Sequence, residues 1–291
     1  MQILYFSDYS GPAQSLAAAL GCSASEVTRH HFPDGEVSLK LPTPLSGDVL
    51  ICQTLDQPNG KLIELLLAAN TARRLGAARV FLVAPYLCYM RQDMEFEPGQ
   101  AVSQPIIGGM LAQTFDGVFT VDAHLHRIDH LAEAIPKGIA CNILASTTIA
   151  RFVASQYAQA VLIGPDSESE QWVAEAAATT GLDFTIASKI RRGDRDVSVD
   201  LPQMDLQGRD VVIIDDIVSS AHTAIEAAKI AKARGAVRVA IACTHALLAP
   251  GARELIRKEG IDALWSCDSV LDDSNSIALA PSLAAAISEA L

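Results

Sequence analysis

The 291-residue chain reads as an α/β protein of two similar domains, each a mainly parallel sheet flanked by helices. Three observations predict this. Short apolar runs rich in β-branched residues alternate with helical patterns from end to end, as repeated βαβ units require. The runs lack a polar alternation, which marks strands covered on both faces. A segment also recurs: Gly76-Ala77-Ala78-Arg79-Val80 and Gly235-Ala236-Val237-Arg238-Val239 each follow an amphipathic helix and precede a strand. Helix, turn and strand agree together, so a duplication is expected, with domains 1–142 and 143–291.

The first strand, 3–6, is Ile3-Leu4-Tyr5-Phe6. The chain start lacks the basic residues and long apolar core of a signal peptide. Further strands are expected at 49–53, 80–84, 118–121, 161–164, 184–187, 211–214, 237–243 and 263–267. Helices are expected between them, notably at 62–75, 143–157, 171–180 and 224–234. The run Val211 to Ile214 is the most informative, because it ends on Asp215 and Asp216 and leads into a loop with Ser219, Ser220 and Thr223. Ligands of open α/β sheets bind beyond the carboxyl ends of strands. A loop that opens a helix suits a phosphate, since the helix N-terminus presents unpaired N–H donors and a positive dipole end. Two carboxylates beside it suit a sugar diol or a Mg²⁺ that accompanies phosphates.

Composition bounds the partners. Half the residues are hydrophobic, enough for a sizeable core, yet no window of about 18 residues is uninterruptedly apolar. The net charge of −12 argues against a general nucleic-acid or membrane surface. The six cysteines are scattered without a Cys-x-x-Cys pair and read as core residues of a reduced, cytoplasmic protein.

Three clusters stand in the first half. Phe32-Pro33-Asp34-Gly35-Glu36 is a turn signal carrying one aromatic and two acids. Pro85 to Asp93 follows a buried strand; Arg91 there can grip a phosphate, and Gln92 and Asp93 can read a base or ribose edge. Asp122-Ala123-His124-Leu125-His126 ends another strand, with the two histidines spaced to share a face. In the second half, the basic run Lys189-Ile190-Arg191-Arg192-Gly193 follows a strand, as a lid over phosphates would. Taken singly, each is also compatible with a surface turn, a capped loop, a structural histidine or a solvated basic loop.

In this order the pieces resemble the ribose-phosphate pyrophosphokinase (PRPP synthetase) family. The match runs from Phe32-Pro33-Asp34-Gly35-Glu36 through Tyr89-x-Arg91-Gln92-Asp93, Val121-Asp122-x-His124, Gly164-Pro165-Asp166, Lys189-x-Arg191-Arg192 and Val212 to Asp216, ending at Thr244-His245. The resemblance implies two tandem phosphoribosyltransferase-type domains and transfer of the diphosphoryl group of ATP to ribose 5-phosphate, giving PRPP and AMP. It implies ATP-binding roles for Phe32, Asp34, Glu36, Arg91, Gln92, Asp93 and His124, the first three reaching a neighbouring subunit's adenine site in a homo-oligomer of at least two chains. It implies Mg²⁺ as cofactor, with His124 and Asp166 as metal residues, and Lys189 and Arg191 as the catalytic basic pair. Ribose 5-phosphate would fall to Asp166, Asp215, Asp216, Ser219, Ser220, Ala221, His222 and Thr223.

The chain departs from the family pattern in three places. Ala221-His222 stands where relatives carry Gly-Gly or a similar small pair, Met94-Glu95 where an Arg often follows Asp93, and Ser167 to Glu170 where small residues are usual. A non-catalytic regulatory relative would bind nucleotides and partners, and a phosphoribosyltransferase that consumes PRPP would share the acidic strand and hydroxyl loop. A metal-dependent hydrolase would share Asp122-x-His124-x-His126.

Overall fold

The computed structural model describes residues 1–191 and 197–291, and divides into two units. The first comprises Met1–Ile143 and Leu279–Leu291; the second is Leu144–Ala278.

In the first unit the chain runs β1 (Gln2–Tyr5), α1 (Ser10–Leu20), β2 (Ser23–Glu26), β3 (Thr28–His31), β4 (Val37–Lys40), β5 (Gly47–Cys52), α2 (Pro58–Arg74), β6 (Ala77–Val83), α3 (Ser103–Thr114), β7 (Gly117–Val121), α4 (Leu131–Ala134) and β8 (Ile139–Ile143). The second unit continues with α5 (Ser146–Gln156), β9 (Val161–Gly164), α6 (Glu170–Thr180), β10 (Asp183–Ile186), β11 (Ser188–Arg191), β12 (Val197–Asp200), β13 (Asp210–Val218), α7 (His222–Ala233), β14 (Arg238–Ala246), α8 (Ala252–Lys258), β15 (Ala263–Cys267) and β16 (Asn275–Ile277). A last helix, α9 (Ala280–Ala290), returns to the first unit. Its buried stripe, Leu283, Ala284 and Ile287, packs with α1 and β8. The division therefore differs from the expected 143–291 at its end. The apolar face of α9 is covered by α1, a pairing that no local pattern encodes.

The two sheets share one topology. The first is ordered β2-β1-β5-β6-β7-β8 and the second β10-β9-β13-β14-β15-β16, parallel throughout. A two-stranded antiparallel hairpin accompanies each, β3–β4 and β11–β12. The duplication also repeats single interactions. Arg79 grips Asp48 through Nε and Nη2 at 2.8 and 2.6 Å, and Arg238 grips Asp210 identically at 2.8 and 2.6 Å. Asp116 accepts the Val80 amide at 2.7 Å, as Asp262 accepts the Val239 amide at 2.7 Å. These ion pairs are substantially solvent-exposed and stabilise little; their value is as markers of equivalent positions. The glycines of the recurring segment turn out of their helices with φ of 108° at Gly76 and 88° at Gly235. A β-carbon on Gly76 would lie 2.7 Å from the Leu45 carbonyl oxygen, so only glycine fits there.

Each core is a layer of β-branched and leucine side chains between sheet and helices. Leu4, Val49, Ile51, Val80 and Leu82 lie in the first, and Val161, Ile163, Val211, Ile213, Val239 and Ile241 in the second. Strand β13 outruns the expected 211–214. It stays paired with β14 through Asp215↔Cys243, Ile217↔His245 and Val218↔Ala246, whereas its ladder to β9 stops at Ile213↔Ile163. Among the described residues no helix is long and apolar enough to cross a membrane.

Candidate active site

In the second sheet the chain leaves β9 for β10 on one side and comes back to β13 on the other. That reversal opens a crevice at the carboxyl ends of β9 and β13, the place where open α/β sheets bind ligands. Asp166 follows β9 directly. Its Oδ1 accepts the Glu168 amide at 3.1 Å, and Ser169 Oγ donates to the Asp166 carbonyl at 2.6 Å, which caps the short turn Ser167–Ser169. Asp215 and Asp216 lie on the part of β13 that has outrun β9. The Asp216 amide donates to Asp215 Oδ1 at 3.1 Å, and the Ile217 amide to Asp216 Oδ1 at 2.7 Å. Asp216 is buried and Asp215 half-buried. Burial, and then the charges of Asp216 and Asp166, hold the Asp215 carboxyl well above the ordinary carboxylate range. Donors such as sugar hydroxyls, or a cation, would relieve this repulsion. Cys243, fully buried across the ladder, is pushed far up by the same low-dielectric surroundings and is inert as a thiol.

The loop from β13 to α7 is pinned by backbone. Leu247 donates to the Val218 carbonyl at 3.0 Å and Ala249 to the Ser219 carbonyl at 3.1 Å. The N-cap of α7 is Ala221, buried, with φ 62° and ψ 3°. Alanine has no side chain that can cap, so the first-turn N–H groups of α7 have no capping side chain from that position. The left-handed conformation that glycine serves elsewhere is thus kept by a non-glycine. His222 is exposed, Ser219 and Thr223 are half-buried, and the helix begins at His222, two residues before its expected start. Lys189 and Arg191 sit on β11, in register with Val199 and Val197 of β12. Their side chains, and all of Arg192 to Arg195, lie outside the described residues.

In the first unit, the loop after β6 carries Arg91, Gln92 and Asp93. It is tied to the start of α3, where Gln104 donates from Nε2 to the Met90 carbonyl at 3.2 Å and from its amide to the Gln92 carbonyl at 3.2 Å. Tyr89 is left-handed at φ 61° and its hydroxyl bonds Asn59. Arg91 is exposed; the Asp93 side chain is only 4% exposed and pairs with Arg127. His124 and His126 stand on the loop after β7 rather than on the strand, their ring centroids 3.8 Å apart and their planes inclined at 36°. Asp122, buried with φ 39°, turns the chain out of the strand, and Asn142 Oδ1 accepts the Ala123 amide at 2.8 Å. Phe32, Asp34 and Glu36 are all exposed on the β3–β4 turn, closed by the Phe32 amide on the Glu36 carbonyl at 2.8 Å. His124 and Asp166 belong to different units.

The first unit keeps the crevice in altered form. Gln53 follows Asp48 at the spacing by which Asp215 follows Asp210, and Thr54 likewise matches Asp216. Gln53 Nε2 donates to Asp8 at 3.0 Å, and Lys61 Nζ donates to the Thr54 carbonyl at 3.0 Å and to Asp56 at 2.6 Å. A lysine thus stands beside the positions that carboxylates hold in the second unit. Sequence reasoning missed this closure and also missed Arg127, whose only local signal is its place in the histidine loop.

Comparison with known proteins finds two family models along the chain. A family model described as the N-terminal domain of ribose phosphate pyrophosphokinase matches residues 1–114, and a phosphoribosyl transferase domain model matches residues 133–284. The ribose-phosphate pyrophosphokinase of Saccharolobus solfataricus is 33% identical over 293 residues, covering 96% of this chain and 99% of that protein. That of Methanopyrus kandleri is 30% identical over 279 residues, covering 94% and 93%. The crystal structure of phosphoribosylpyrophosphate synthetase from Mycobacterium smegmatis shares the fold, with a TM-score of 0.82 at 22% identity over 99% of this chain and 97% of that one. Relatives matched end to end at this level share more than architecture, and the chain belongs to the ribose-phosphate pyrophosphokinase family of transferases.

Proposed function

We propose that the protein transfers the diphosphoryl group of ATP to the 1-hydroxyl of ribose 5-phosphate, giving PRPP and AMP. One observation carries the reading: Asp166, Asp215 and Asp216 flank a crevice whose next element is a helix entered without a side-chain cap. Carboxylates can accept two sugar hydroxyls, and a helix N-terminus suits a dianionic phosphate. Together they fit a phosphorylated sugar better than either fits alone. Ser219, Ser220, Ala221, His222 and Thr223 surround the phosphate, and the two aspartates of β13 hold the ribose.

The nucleotide falls to the first unit. Arg91, Gln92 and His124 contact ATP, with Asp93 acting through its ion pair. Phe32, Asp34 and Glu36, exposed on a hairpin tip, suit contact with the adenine of a neighbouring subunit, so the active form is at least a homodimer. The sugar oxygen attacks the β-phosphorus, the bond from that phosphorus to the α,β-bridging oxygen breaks, and AMP leaves with the oxygen while the hydroxyl proton is lost. Such transfer needs in-line positioning and charge neutralisation more than covalent help. Lys189 and Arg191 stabilise charge on the group in flight.

Mg²⁺ is held by few protein groups together with substrate phosphates, and the described residues form no cluster of three or more His, Cys, Asp or Glu that could hold a metal ion. His124 in the first unit and Asp166 in the second would each serve Mg²⁺ coordination, and the elevated Asp215 carboxyl marks a surplus of negative charge that a cation relieves. When bound, Mg²⁺ supplies neutralisation of phosphate charge. The six cysteines, all free, accord with a cytoplasmic setting. Incubation with Mg²⁺, ATP and ribose 5-phosphate should yield AMP and PRPP in equal amounts. Formation of ADP instead would point to ordinary phosphoryl transfer, and absence of turnover would favour a regulatory relative.

A further inference from the structure

The loop that carries Arg91 is acidic for a polyphosphate site, with Asp93, Glu95 and Glu97 following within six residues. A second cation comes from elsewhere. Arg127, three residues beyond His124, reaches this loop and places one nitrogen, Nη1, 3.0 Å from both oxygens of Asp93. Its guanidinium also lies 5.9 Å from the centre of the Phe96 ring. The Asp93 side chain is almost wholly buried, whereas half of the Arg127 side chain is exposed. Both contacts with Asp93 are made through Nη1 rather than through the fork of Nη2 and Nε. A fork-shaped cation is thus held at one corner by a buried carboxylate while half of its side chain stays exposed.

We propose that Arg127 binds the phosphate chain of the nucleotide and that Asp93 is the positioning residue that orients it. This rests on the assignment of ATP to the first unit. Burying the Asp93 carboxylate is costly without its partner, and that cost fixes the guanidinium in one place before ligand arrives. A preorganised arginine loses less freedom on binding than a mobile one. Arg127 also neutralises the Asp93 carboxylate on this acidic loop, so that the neighbourhood of Arg91 repels an anion less than the sequence of the loop alone would.

The test compares ATP, inorganic tripolyphosphate and adenosine as ligands of the intact protein by calorimetry, for wild type and for Arg127→Gln, Arg127→Lys and Asp93→Asn. Loss of charge-assisted hydrogen bonds should weaken ATP and tripolyphosphate about 10- to 100-fold in Arg127→Gln, with adenosine unchanged. Arg127→Lys should recover part of that loss. Asp93→Asn should weaken ATP less, and combined with Arg127→Gln it should add almost nothing, because the two act as one unit. ATP affinity that is unchanged in folded Arg127→Gln, or that falls in step with adenosine, overturns the role of Arg127 while leaving the ATP assignment standing. A wild-type protein that binds neither ATP nor tripolyphosphate overturns both.

Discussion

The helices that follow β5 and β13 are both entered through a left-handed residue that is not glycine: Gln57 at φ 48° before α2 and Ala221 at φ 62° before α7. Glycine at either position would recover about 1–2 kcal/mol of steric cost. It would also lose about 0.4–1 kcal/mol through the greater freedom of the unfolded chain. The two sites differ in what the side chain does. Gln57 is exposed, whereas Ala221 is buried in the second core with Val218, Ala224 and Ile225. Its methyl contributes about 0.8 kcal/mol by burial. Gln57→Gly should therefore stabilise its unit by about 0.5–1 kcal/mol. Ala221→Gly should fall within about 1 kcal/mol of neutral, the relief of strain being offset by loss of the anchor. Thermal and urea unfolding of the two variants beside wild type measures this, at about 2–4 °C per kcal/mol for a protein of this size. If Ala221→Gly stabilises as much as Gln57→Gly, the methyl anchors nothing and the loop before α7 is merely strained.

Asp215→Asn should raise the melting temperature of the ligand-free protein at pH 8, by about 0.5–2 kcal/mol in stability, and weaken ribose 5-phosphate at least about tenfold. The folded carboxyl is held above its unfolded value, so the stability it confers is full below the ordinary carboxylate range and is lost as pH rises through the folded value. The two proteins should converge in acid, and equal melting at pH 8 would contradict the reasoning. Lys189→Ala and Arg191→Ala should each lower kcat by about 10²-fold or more while changing the KM for ATP much less; effects confined to KM would make them binding residues only. A Phe32→Ala, Glu36→Ala protein and an Arg91→Ala protein, each nearly inactive, should recover activity on mixing through hybrid sites. Subunit exchange demonstrated by mass without any recovery would place both clusters in one subunit.

The buried strands were legible because parallel sheets covered on both faces leave unbroken β-branched runs, as in Val161-Leu162-Ile163 and Val211 to Ile214. The edge strand β2, Ser-Ala-Ser-Glu, and the hairpin strand β3, Thr-Arg-His-His, carry no such run. They are strands because a neighbour's backbone pairs with them, a tertiary cause that propensity does not record. The length of β13 was hidden for the same reason: Asp215 looks like a strand end, yet β14 keeps pairing beyond it. The loop from β13 to α7, proposed to hold the phosphate, was readable since its parts are contiguous. Asp93 and Arg127 were not, being brought together only by the pairing of β6 with β7. The left-handed Ala221 was half legible; its place in the loop gave the question and the backbone gives the answer.

The central claim is diphosphoryl transfer, and the fate of the β-phosphorus of ATP tests it most directly. With Mg²⁺, ribose 5-phosphate and ATP labelled at that position, the label should pass to PRPP and leave unlabelled AMP. Label retained in ADP would contradict the account.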